Sequence, residues 1–126
     1  MDVIGKAMEQ SRKAIEKFYK GTCNVYERQN VTDADIHITK KQEVLVLENQ
    51  PCKLSFTSLK ATDMQGGAAT VTQTPKLFIA PEINIKPGSK IEVTQNNATK
   101  LYQRSGESGK FTTHQEIVLE LFAKYA

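Results

Sequence analysis

The sequence predicts a mainly β fold of the α+β class, an N-terminal amphipathic helix followed by a small antiparallel β-barrel of about seven strands with long loops. Three observations lead there. Apolar residues recur at helical spacing before Gly21 and at a period of two after it. Turn residues punctuate the second part at short intervals, as in small all-β domains. No internal repeat is visible, and 126 residues is the length of one domain, so a single unit is expected over residues 1–126.

The helix is expected over residues 3–19, with Ile4, Met8, Ile15 and Phe18 as its stripe and Ala7, Ala14 and Tyr19 widening it. Glu9 stands four residues ahead of Lys13, and Glu16 four ahead of Lys20, a spacing that supports an isolated helix. Gly21 is placed as its C-cap, since glycine enters the left-handed conformation without a steric penalty. The helix is expected either to plug one mouth of the barrel or to lie across its outside.

A first strand follows over Thr22 to Arg28, where Cys23 and Val25 face one way and Tyr26 the other. Residues 29–41 are polar and are read as a long hairpin loop. Val44, Leu45, Val46 and Leu47 are apolar on both faces, the pattern of a buried strand. Pro51 cannot donate to a ladder, so a bend or bulge is expected there. Cys52, Leu54 and Phe56 then alternate with Lys53, Ser55 and Thr57. Residues 57–70, with Met64, Gln65, Gly66 and Gly67, are read as a second long loop.

Strand character returns around Leu77, Phe78 and Ile79 and is closed by Pro81. Lys86-Pro87-Gly88-Ser89 is a type II turn, because Pro presets the first central dihedral and Gly supplies the positive second. Ile91 and Val93 mark the next strand, Asn96-Asn97 a hairpin turn, and Leu101 the returning strand. Gly106 to Gly109 forms another loop. Ile117, Leu119 and Leu121 alternate with Glu116 and Glu120, which makes the last segment a strand rather than a helix.

Charge sets limits on partners. The balance of 17 basic against 14 acidic residues gives +3, spread as 10 against 8 over residues 1–60 and 7 against 6 over residues 61–126. Sequence-independent DNA binding needs several phosphates neutralised together, and only Lys6, Arg12, Lys13, Lys17 and Lys20 on the helix form a local excess. No apolar run reaches the roughly 18 residues of a membrane span, and the first residues lack the centre of a signal peptide, so a cytoplasmic protein without a membrane is expected. Cys23 and Cys52 sit among apolar neighbours and are expected as buried, reduced thiols.

Catalytic and metal chemistry finds little purchase. His37 and His114 lie in no nucleophile motif, and with Cys23 and Cys52 they lack the paired spacing of zinc ligands. Asp33, Asp35 and Glu27 come without the turn glycine of a calcium loop. Gly66-Gly67 is not followed by Lys-Ser or Lys-Thr, so it cradles no phosphate. No enzyme, metal or cofactor is expected. Tyr26, Phe56, Phe78, Tyr102 and Phe111 are candidates for stacking single-stranded nucleic acid, but their apolar surroundings point them inward to packing.

Two segments carry a resemblance: Glu48-Asn49-Gln50-Pro51-Cys52-Lys53-Leu54-Ser55-Phe56, and His114-Gln115-Glu116-Ile117-Val118-Leu119-Glu120-Leu121-Phe122. Together with Ala14-Ile15-Glu16-Lys17-Phe18-Tyr19, and with Lys76-Leu77-Phe78-Ile79-Ala80-Pro81 ahead of Lys86-Pro87-Gly88-Ser89, they resemble the XkdH/YqbH family. Those are small proteins encoded among the head and neck genes of Gram-positive tailed phages and the defective prophage PBSX. The resemblance covers almost the whole chain, through motifs that are structural and single out no site.

The resemblance implies a head-completion or stopper protein of the virion neck, assembled in the bacterial cytoplasm as a homo-oligomeric, dodecameric ring. Its partners would be the portal and adaptor above and a tail terminator or tail-completion protein below, with packaged DNA met only in the channel. A tail-completion or terminator protein is the alternative within the same machine, and a nucleic-acid-binding barrel the alternative outside it. Under the neck reading, the helix residues Lys6, Arg12, Lys13 and Lys17 are expected to meet an acidic adaptor. The loop residues Asp33, Asp35, His37, Met64, Gln65, Gly66 and Gly67 are expected at the channel or at a neighbouring ring.

Overall fold

The computed structural model describes residues 3–60 and 71–125. It holds one helix, α1 (Val3–Glu16), and seven strands: β1 (Gly21–Asp33), β2 (Ile38–Lys60), β3 (Val71–Ile79), β4 (Lys90–Gln95), β5 (Ala98–Arg104), β6 (Gly109–Lys110) and β7 (Gln115–Leu121). The sheet runs β3-β2-β1-β4-β5-β7-β6, and a further pairing of β3 with β7 closes it on itself. Every pairing is antiparallel. The mainly β class, one helix ahead of seven antiparallel strands, is the one the sequence predicts. Among the described residues no helix is long and apolar enough to cross a membrane.

The core is the inward-facing half of each alternating strand. Cys23 and Val25, Cys52, Leu77 and Ile79, Ile91 and Val93, Tyr102, and Ile117 and Leu119 are all buried. Their neighbours in sequence point to the other side, as the two-residue period of a strand requires. Both thiols are free and buried, and their mutual hydrogen bond and burial push the Cys23 thiol far above its ordinary range.

The two ends of the closed sheet differ. At the upper end, where β3 finishes and β4 begins, residues 80–89 cross between strands on opposite sides and lower Ile85 into the core. Buried Gln115 fixes this crossing by donating from Nε2 to the carbonyls of Ala80, at 2.9 Å, and Ile83. Arg104 donates to the carbonyl of Ile85 at 2.6 Å. The Lys86–Ser89 turn forms as expected, with Gly88 at φ 85° and Ser89 N bonded to Lys86 O. At the lower end, β4 and β5 are joined by a tight hairpin whose Asn96 and Asn97 both adopt positive φ, and this connection runs between adjacent strands without crossing the mouth.

Several expectations give way. The helix ends at Glu16 rather than residue 19, tightening into a last turn in which Phe18 N bonds to Ile15 O and Tyr19 N to Glu16 O. Lys20 therefore lies beyond it, and Glu16 takes Arg12 as its partner at 2.9 Å, while Glu9 meets Lys13 at 3.6 Å. Gly21 is no C-cap. It opens β1, where a Cβ would stand 3.0 Å from Gln95 Oε1 and 3.1 Å from the Thr94 carbonyl oxygen, so glycine is there for close approach. The stretch Leu45-Val46 is not buried; the two residues are 43% and 42% exposed.

The residues read as two long loops are largely strand. β1 continues to Asp33 and β2 resumes at Ile38, so residues 29–41 form a tight-ended hairpin. β2 also continues through Thr57 to Lys60 and pairs with β3 from Val71. Met64, Gln65, Gly66 and Gly67, expected at the channel or at a neighbouring ring, lie outside the described residues. Pro51 does not break β2; the irregularity expected near it sits upstream, at Val46 and at Glu48-Asn49, where β2 carries extra residues against β1. Asn49 has φ 50°, and its N–H is taken by Asn24 Oδ1 at 2.8 Å.

Candidate interaction surface

β2, 23 residues long, serves as the spine of two arms. Among the described residues its first part, residues 38–44, pairs only with residues 27–33 of β1, because β4 reaches β1 no further than Tyr26 and β3 meets β2 only from Cys52. That two-stranded arm is seven residue pairs long, about 24 Å at the usual strand rise. Its last part, with residues 71–75 of β3, forms a second arm beyond the β3–β7 pairing, which stops at Lys76. Because the two arms extend opposite ends of one strand, they leave opposite poles of the closed sheet.

The first arm gathers three of the residues expected at a channel or ring contact. Asp33 Oδ1 accepts from Asp35 N at 2.9 Å, and the carbonyl of Asp33 accepts from His37 N at 2.8 Å, with His37 at φ 53°. This side-chain-to-backbone turn explains why Asp33 and Asp35 stand together at the tip. Ile36 and Ile38, 55% and 48% exposed, share one face of the arm with Val31. Thr32 and Thr39 bond across the other face at 2.9 Å.

At its base the arm is braced. Lys90 holds Glu43 at 2.7 Å and lies over the Tyr26 ring at 4.8 Å, and Tyr125 donates its hydroxyl to Glu43 at 2.9 Å. The Lys90 ammonium, then the Tyr125 hydroxyl, hold the Glu43 carboxyl below the usual range, and burial beside Glu43 pushes the Tyr125 phenol up.

Helix α1 lies outside the sheet, and none of its residues is buried. A chain of stacked groups joins its C-terminal end to the sheet. Phe18 and Phe78 both flank the Lys53 ammonium, Phe78 stacks on His114 at 5.7 Å, and His114 on Phe111 at 4.8 Å. Glu116 accepts from His114 Nε2 at 3.0 Å and Lys76 Nζ at 3.1 Å, and these donors hold its carboxyl below the ordinary range. Of the four cations expected on the helix, Lys17 lies just beyond its end at Glu16, Arg12 is bound to Glu16 and Glu82, and Lys13 to Glu9. Lys6 and Lys17 make no ion pair among the described residues.

The structure separates the five aromatic candidates for nucleic-acid stacking. Tyr102 is core, Phe78 and Phe111 bracket His114, Tyr26 lies beneath Lys90, and Phe56 stands at the lower mouth. They form no common platform, and Phe56 and Phe111 are half exposed rather than packed inward.

Sequence reasoning missed that lower mouth. Leu54 and Phe56 of β2 face Lys100 and Tyr102 of β5 across an opening that Pro75 and Leu121 also line. The signal was present in the alternation: Phe56 and Leu121 continue the inward-facing series of Cys52 and Leu119 past the point where the core ends. Gln95 closes one side, accepting from Leu54 N at 2.9 Å and donating to Leu54 O at 3.0 Å.

The described residues thus define a small, mainly β protein with an arm at each pole and an apolar recess at the lower end. Neither a family model nor a curated protein matches the chain. Among solved structures it is similar to the phage-like element PBSX protein xkdH from Bacillus subtilis, at 13% identity and a TM-score of 0.48, over 79% of this chain and 91% of that one. At that score the likeness is one of outline alone.

Proposed function

We propose that this chain is a structural protein of a tailed phage: the head-completion or stopper subunit of the neck, forming a ring between portal-adaptor and tail. In that place it retains packaged DNA and offers the tail its attachment site. The observation that carries the reading is the pair of arms leaving opposite poles on one strand, β2. A subunit stacked between two other rings needs a contact on each side, and a small body with an arm at each end supplies both. The resemblance of the sequence motifs to neck proteins supports the same place.

Within this reading the tip of the first arm, with Asp33 and Asp35, faces the channel. Two carboxylates per subunit there repel phosphates and keep DNA from adhering as it passes. The helix and the turn that follows it meet an acidic adaptor through Lys6 and Lys17, since Arg12 and Lys13 already have partners within the chain.

The test is retention of DNA. Purified protein added to DNA-filled, tailless heads that lack it is expected to stop leakage and allow tails to join; leakage unchanged by saturating protein overturns the reading. Recovery of the protein on purified tails rather than heads would move it to tail completion.

A further inference from the structure

We infer that the direction of the first arm is set by a latch, in which the body and the arm compete for one carboxylate, Glu43. Held by Lys90 and Tyr125, the carboxylate ties the arm to the body; held by Arg28, it leaves the arm free to swing. The inference goes beyond the neck role and does not depend on it.

Glu43 belongs to the arm, on β2, directly opposite Arg28 of β1. Opposite charges facing each other across an antiparallel pair ordinarily attract and stabilise it. Yet Arg28 makes no ion pair among the described residues, and Glu43 turns to two donors outside the arm. Lys90, the first residue of β4, donates to its two oxygens at 2.8 and 2.7 Å, and the Tyr125 hydroxyl donates to Oε2 at 2.9 Å. Arg28 and Tyr125 line one cleft, so the rival cation stands close by.

Tyr125 reaches Glu43 at the end of a strap. Phe122 N is bonded to Leu101 O of β5 at 3.1 Å, and the Phe122 ring meets that of Tyr125 edge-on at 5.1 Å. Between β5 and β2 the sheet order interposes β4 and β1, a crossing of about 14 Å at the usual strand spacing. The backbone from Phe122 to Tyr125 covers about 10 Å when extended, and the side chains of Tyr125 and Glu43 make up the rest. A strap without slack holds its end in one place.

The arm is built to move once released. Among the described residues it has no third strand, and β2 is out of step with β1 at Val46 and at Glu48-Asn49 just below it, where extra residues bend a strand. A further tie to the body, Lys86 to Glu27, is 3.8 Å long with the Lys86 side chain well exposed, and such a pair holds little. Glu43 has a cation in either position, so neither strands a bare carboxylate. An anion that occupies Arg28 therefore favours the latched arm, and a group that takes Tyr125 favours the released one.

The experiment places nitroxide spin labels on the full chain at Ile36→Cys, in the arm tip, and Lys100→Cys, on the body, and reads their separation by double electron–electron resonance. Both positions are exposed, and native Cys23 and Cys52 are too buried to label. The expected result is one dominant distance. Tyr125→Phe, which keeps the ring and removes the hydroxyl, should raise a second distance about tenfold, the worth of one hydrogen bond to a charged group. Adding Arg28→Gln should lower that second population about threefold, because the released arm loses its exposed ion pair. Glu43→Gln, which disarms both sides, should show the second distance whether or not Arg28 is present.

An unchanged distribution in Tyr125→Phe overturns the latch. A second population that Arg28→Gln leaves unaltered or enlarges overturns the competition, since an arginine that merely braced the arm would loosen it when removed. Sensitivity of Glu43→Gln to Arg28→Gln overturns Glu43 as the shared group. None of these readings involves DNA retention, so the neck role stands or falls separately.

Discussion

Replacing Gln95 with alanine removes the one side chain that stands in for a missing strand. β1 begins at Gly21, so beyond that point β2 and β4 have no strand between them, and the Gln95 amide spans the gap by bonding both the N–H and the C=O of Leu54. Each such bond is worth about 1 kcal/mol net, so Gln95→Ala should cost about 2 kcal/mol. With a urea m-value of about 2 kcal/mol/M, the midpoint of unfolding falls by about 1 M. Gly21→Ala attacks the same bridge from the other side, since its Cβ would stand 3.0 Å from Gln95 Oε1. Displacing the amide forfeits what Gln95→Ala forfeits, and crowding the Thr94 carbonyl oxygen adds strain, for a cost of about 1–3 kcal/mol. The double variant should therefore cost at least ~0.5 kcal/mol less than the sum of the two. Urea denaturation followed by far-UV circular dichroism measures all three, and strict additivity, or an unchanged midpoint for Gln95→Ala, refutes the bridge.

Ile117→Ala, in the middle of β7 and 1% exposed, should cost about 2–5 kcal/mol in the same assay. Glu116 has its folded pKa below the ordinary value of 4.5, so its pairing with His114 and Lys76 stabilises above about pH 4.5 and is lost as pH falls through the lowered value. Glu116→Gln should accordingly flatten the acid limb of the stability curve, and an identical limb in both proteins refutes the pairing. Amides of residues 28–33 and 38–43 in the isolated chain should exchange with deuterium well before those of β4 and β7, because the arm has no third strand.

Most of the fold is written in local signals. Pro87-Gly88 and Asn96-Asn97 specify their turns because Gly88, Asn96 and Asn97 supply the positive φ needed there, and Ile117, Leu119 and Leu121 specify a strand by alternating with glutamates. The arms escape such reading for a physical reason. A two-stranded ribbon standing in solvent is wet on both faces, so residues 28–33 and 39–43 show no apolar period and look like loop. Leu45 and Val46 mislead in the opposite sense, since an apolar run ordinarily means burial on both sides, and here it crosses from arm to body at an irregular pairing. Gly21 is legible as a special position but not as which kind, because its constraint comes from Gln95, far along the chain. Of the candidate site, the acidic tip was visible in Asp33 and Asp35, whereas the mouth depends on which strands neighbour each other around the closed sheet.

Because one unbroken backbone of 23 residues supplies half of each arm, the two poles of this molecule are mechanically linked. A tug on either arm is borne by the same covalent rod, and its least rigid joints are the places near Val46 and Asn49 where the ladder of hydrogen bonds is out of step. Flexure is thereby confined to a short stretch at the root of the first arm, and the rest of the rod moves as part of the body.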